Sequence, residues 1–102
     1  MSDKLPKLQA MLEKQPNDPF LLYGIALEYK KLDETGLAIE FLDRTLEADG
    51  GYCYAYFQKG QVYEQTGDVA AAKAAYEKGV VAAKEKGDVH AQSELEGALS
   101  ML

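Results

Sequence analysis

Apolar residues recur at helical spacing along the whole chain, and clusters of glycine, proline and acidic residues cut the pattern into six pieces. Leu5, Leu8, Met11 and Leu12 form a stripe that stops at Pro16-Asn17-Asp18-Pro19. The stretch from Phe20 to Leu32 is apolar on more than one face, which predicts a helix with neighbours on both sides. A weaker break at Asp33-Glu34-Thr35-Gly36 is followed by the single stripe Ala38, Phe41, Leu42 and Leu46. Asp49-Gly50-Gly51 separates this from a second two-sided stretch, Tyr52 to Tyr63. Gly67-Asp68 then precedes Val69 to Lys86, which is rich in alanine, the best helix former. After Gly87-Asp88, the residues Ala91, Leu95, Ala98, Leu99 and Leu102 share one face. Asp18, Asp68 and Asp88 are suited to cap helix N-termini, with Pro19 where its missing N–H is harmless. No segment alternates as a strand does. The short connections predict antiparallel sequential helices.

The chain also repeats itself at a shift of 34 residues. Tyr29 pairs with Tyr63, Ala38 with Ala72, Ala48 with Ala82, Ala26 with Gly60, Leu46 with Val80, Phe20 with Tyr54, and Tyr23 with Phe57. The shift in the other direction pairs Leu8 with Leu42, Leu12 with Leu46, and Pro16 with Gly50, so the first helix reads as the second half of a preceding unit. The small residues Ala26, Gly60, Ala38 and Ala72 allow close helix approach, and Tyr29, Tyr63, Leu42 and Tyr76 are expected to fill the space beside them.

Tyr56-x-x-Lys59-Gly60-x-x-Tyr63 with Ala72-x-x-x-Tyr76 resembles the tetratricopeptide repeat. Leu22-x-x-Ile25-Ala26-x-x-Tyr29 with Ala38-x-x-x-Leu42 repeats the pattern, and Pro16 closes the leading half-unit. The resemblance spans residues 4–86. Lys59 departs from it where leucine is usual, as do Gly50 and Lys84 at the place of the closing proline. It implies an all-α solenoid of antiparallel helix hairpins in one domain, 1–102. The leading helix is expected at 4–15, two full repeats at 19–50 and 53–86, and a capping helix at 88–102.

Composition narrows the chemistry. The net charge of −6 opposes binding to phosphate backbones and equally serves solubility. Cys53 is the only cysteine, so no intrachain disulfide forms, and a reducing, cytoplasmic setting is expected. The start Met1-Ser2-Asp3-Lys4-Leu5-Pro6 lacks a basic-then-apolar leader, and no stretch is long and apolar enough to span a bilayer. His90 is the only histidine and reads as a surface residue near a helix start. Neither a catalytic constellation nor a phosphate loop nor a metal-ligand pair is present, and the acidic residues read as solvated helix faces. The expectation is a non-enzyme without cofactor or metal, acting on a protein or peptide and not on nucleic acid or membrane.

In the resembled family the first helix of each repeat lines a concave groove. By that register, Phe20, Tyr23, Leu27 and Lys30 face the groove from the first repeat, with Lys31 beside them. Tyr54, Phe57, Gln61 and Glu64 do so from the second. Their four aromatic rings are candidate anchors for a peptide; the competing reading is that terminal helices cover them as core. The carboxylate clamp of chaperone adapters lacks its asparagine and arginine here, so an apolar or aromatic-anchored segment suits the stripe better. Self-assembly is the alternative, since the chain holds two full units and its last helix ends in an apolar run, Ala98-Leu99-Ser100-Met101-Leu102.

Overall fold

The computed structural model describes residues 3–102; the opening Met1-Ser2 of the leader reading lies outside them. The described residues form six helices and no strand: α1 (Lys4–Lys14), α2 (Pro19–Lys31), α3 (Thr35–Ala48), α4 (Cys53–Gln65), α5 (Val69–Lys86) and α6 (Val89–Ser100). They fall into two compact units, one ending at Asp49 and the other beginning at Gly50.

Local chemistry explains the boundaries. The Asp18 carboxylate accepts from the Phe20 and Leu21 amides at 2.9 and 3.4 Å, with Pro19 in the first turn. Asp68 and Asp88 cap α5 and α6 in the same way, each accepting from the amide three residues on at 3.0 Å. The C-termini of α2, α4 and α5 share one geometry. The Glu34 amide donates to the Tyr29 carbonyl at 3.0 Å and the Asp33 amide to the Lys30 carbonyl at 3.1 Å. Asp68 and Gly67 repeat this pair after α4, and Asp88 and Gly87 after α5. The paired bonds satisfy carbonyls that the helix leaves open, provided the residue at the bend is left-handed. Asp33, Gly67 and Gly87 have φ of 58°, 82° and 72°. Thus Gly67-Asp68 and Gly87-Asp88 each stop one helix and start the next within two residues.

In the first unit, α2 packs against α3 and carries α1 on another side. Its core is Leu21, Leu22, Ile25, Ala26, Ala38 and Leu42, all nearly inaccessible. Leu8 of α1 meets α2 at Gly24, and the Gln9 side-chain amide donates to the Tyr29 hydroxyl at 3.1 Å. Thr45 is buried, its hydroxyl satisfied by the Phe41 carbonyl at 2.7 Å. Glu28 is also buried, contrary to the solvated reading of the acidic residues; Lys31 meets its carboxylate at 3.2 Å. A buried carboxylate requires such a partner, because desolvation alone strongly disfavours the charge.

In the second unit, α5 packs against both α4 and α6. Gly60 of α4 lies directly against the Tyr76 ring: a Cβ there would sit 2.5 Å from the ring Cδ1 and Cζ atoms. Gly79 marks a three-helix junction, since its Cβ would meet Tyr56 of α4 at 2.8 Å and Leu95 of α6 at 2.7 Å. These contacts explain why Gly60, a small residue of the repeat pattern, and Gly79 carry no side chain. They let backbone approach an aromatic ring closely enough to leave no void.

Candidate functional site

The spacing of Phe20, Tyr23, Leu27 and Lys30 puts them on one side of α2. Phe20 is open, at 70 % exposure; Tyr23, Leu27 and Lys30 are half-buried, and Lys31 is exposed. Desolvation lowers the Lys30 ammonium below its ordinary pKa. Lys31 is engaged with Glu28 within its own helix. The first repeat therefore presents one largely exposed ring, two partly covered apolar side chains and a basic end.

On α4, Tyr54, Phe57 and Gln61 are half-buried and Glu64 is exposed. Tyr54 and Phe57 meet edge to face with centroids 6.3 Å apart, and Phe57 stacks at 6.0 Å against the buried Tyr76. Both rings pack against the unit's core cluster. Burial raises the Tyr54 hydroxyl pKa, reinforced by the nearby carboxylates of Glu94 and Asp88. The Glu64 carboxylate accepts a hydrogen bond from the Tyr76 hydroxyl. Burial first, then that bond and the nearby charge, hold the Tyr76 phenol well above its ordinary value. Hence the α4 stripe is tied to the core from beneath, and Glu64 orders Tyr76 as well as facing outward.

Three features were not anticipated from the sequence. Arg44 stacks over the Phe41 ring at 4.7 Å, and Phe41 meets Tyr29 at 5.5 Å. A cavity of about 440 Å³ lies among Asn17, Leu22, Arg44, Glu47 and Ala48. A smaller cleft of about 160 Å³ lies in the second unit, lined by Lys59, Tyr63, Ala71, Ala74, Ala75 and Lys78. The signal for these was the difference between equivalent repeat positions, not the pattern they share.

Among the described residues, no group of three or more His, Cys, Asp or Glu side chains is clustered to hold a metal, and no helix is long and apolar enough to cross a membrane. Cys53 is buried and its thiol donates to the Gly51 carbonyl at 3.3 Å. His90 pairs with Glu94 at 2.6 Å on an exposed face of α6.

The family model described as tetratricopeptide repeat matches residues 54–89. The TPR repeat-containing protein PA0015 of Pseudomonas aeruginosa is 31 % identical over 88 residues, covering 86 % of this chain and 84 % of that one. Among solved structures, protein BPP2914 of Bordetella parapertussis is similar with a TM-score of 0.85 at 28 % identity, over 99 % of this chain and 88 % of its own. A tetratricopeptide repeat domain protein of Salinibacter ruber gives a TM-score of 0.79 at 31 % identity, over 84 % and 87 % of the two chains.

Proposed function

Because the chain belongs to the tetratricopeptide repeat family, whose fold is in general a protein–protein interaction module, we propose that it binds a peptide or protein segment through the aromatic stripes of α2 and α4. The observation that carries this reading is Phe20, a large ring left 70 % exposed in the first turn of α2. An aromatic side chain in that setting contributes little to its own fold and much to a partner that covers it. Tyr23 and Leu27 extend the apolar strip, and Lys30 gives it a basic end. On α4, Tyr54 and Phe57 offer a ring pair already fixed by core contacts, so little side-chain entropy remains to be lost on binding. Gln61 and Glu64 supply polar neighbours.

Replacement of Phe20 by Ala tests the reading. Thermal stability should change by less than about 0.5 kcal/mol, as for exposed positions generally, while affinity for a captured partner falls at least tenfold. Retention of the partner at full affinity, with melting unchanged, would sink the α2 stripe as the binding face.

A second reading, self-association, is favoured by the exposure of Val89 and Met101, at 75 % and 85 %. It predicts a concentration-dependent rise in mass by light scattering that Val89→Ser suppresses. A constant monomer mass into the millimolar range eliminates it.

A further inference from the structure

The cavity of about 440 Å³ in the first unit falls within the size range of small-molecule sites, about 300–1,000 Å³. Its open walls are Asn17, Arg44, Glu47 and Ala48; Leu22 bounds it from within and is itself buried. Arg44 and Glu47 stand three residues apart on α3, the spacing at which opposite charges on a helix commonly pair. These two do not pair. Arg44 lies over the Phe41 ring at 4.7 Å, which holds the guanidinium flat and leaves its N–H edge for a planar acceptor. Among the described residues, neither Arg44 nor Glu47 makes an ion pair, and the Asn17 side chain makes no hydrogen bond. The cavity therefore has a cationic side and an anionic side. Backbone reinforces the anionic side: the last turn of α3 holds Glu47 and no lysine or arginine, and the carbonyl end of a helix carries partial negative charge. The second repeat does not share the arrangement, since Gly51, Lys78 and Val81 stand at the registers of Asn17, Arg44 and Glu47. These charges are thus no part of what builds a repeat.

We propose that this cavity binds a free α-amino acid as its zwitterion. The ligand carboxylate takes the edge of the Arg44 guanidinium, where two parallel N–H bonds are on offer. The ligand ammonium meets the Glu47 carboxylate and the carbonyl end of α3. The Asn17 amide, which both donates and accepts, serves either group. A lone anion would face Glu47 and the negative end of α3, and a lone cation would face Arg44. Only a ligand that bears both charges satisfies both sides. Arg44, Glu47 and Ala48 belong to α3, which carries none of the aromatic stripe, so this site goes beyond the peptide face and stands or falls apart from it.

L-Alanine is the probe, titrated into the full chain at constant pH and ionic strength and followed by NMR through the backbone signals of Arg44, Glu47 and Ala48. The expected result is a saturable shift of these signals. N-acetyl-L-alanine, which lacks the ammonium, and L-alaninamide, which lacks the carboxylate, should each bind at least tenfold more weakly. Arg44→Gln and Glu47→Gln should each weaken binding of L-alanine at least tenfold. Glu47 is exposed, so its variant folds and keeps the test decisive if Arg44→Gln does not. Absence of a saturable shift up to the solubility of L-alanine would overturn the proposal. Undiminished binding to Glu47→Gln would do the same, as would equal binding of either singly charged analogue, which would make the site a reader of one charge only.

Discussion

Side-chain size at a few positions decides how the second unit packs. Gly60 has no room for a methyl group beside Tyr76, so Gly60→Ala should destabilise the protein by about 1–3 kcal/mol, the usual range for overpacking. Pairing it with Tyr76→Leu recreates the first repeat's combination, Ala26 with Leu42, and should recover part of the loss; denaturant midpoints of the single and double variants measure this. Tyr76 also sets a pH limit. Its phenol is raised above the ordinary value of 10.0 in the folded state. Above about pH 10 the unfolded chain releases this proton while the folded chain retains it. The folded state then binds more protons, so stability falls as pH rises past that point and is unaffected below it. In Tyr76→Phe the fall should be shallower, as read from melting temperatures between pH 9 and 11. The Tyr76 contact was legible in the sequence from its pairing with a small residue one helix away. The burial of Glu28 was not: Val62 at the same register hinted at an apolar site, but spacing says nothing about which polar side chains find partners there.

At the level of helices, punctuation carries the fold. Gly67-Asp68 and Gly87-Asp88 join a left-handed stop to an N-cap, and both steps are visible in the sequence because few other residues serve those roles. The first hairpin does the same with Asp33-Glu34, less well. Asp33 bears a Cβ in the left-handed region, and Glu34 makes no side-chain cap bond to α3. The double change Asp33→Gly, Glu34→Asp brings in the sequence of the second hairpin. It should stabilise the protein by about 1–2 kcal/mol, the combined scale of a relieved left-handed residue and a gained cap. Urea denaturation of the double variant checks this, and a loss of stability would mean that Glu34 has a role the cap geometry does not express. All six helices and the three aspartate caps follow from the sequence; the ends differ by one or two residues, α1 at Lys14 and α6 from Val89 to Ser100, because frayed turns leave little signal.

For the molecule as a whole, each unit has its own buried cluster, and the two units carry one register with different contents. A periodic pattern reveals what the repeats share, which is the fold. It is silent on which members of an outward stripe are covered, because direction around a helix does not state what lies above it. Phe20 is open while Phe57 is partly seated on Tyr76, although both belong to one predicted face. The repeats depart from one another on that stripe, with Lys30 of the first against Glu64 of the second, and the proposed binding face draws its polarity from that difference.

The contact between Gly60 and Tyr76 also constrains how such a chain grows and shortens by recombination. A crossover within a hairpin would join α2 to α5 and set the Ala26 methyl against the Tyr76 ring. The reciprocal product would set Gly60 opposite Leu42 and leave a void. A crossover in the Asp49-Gly50-Gly51 connection moves each matched pair of helices intact. Viable insertions and deletions in this lineage are therefore expected to come in whole hairpins, with their seams between repeats.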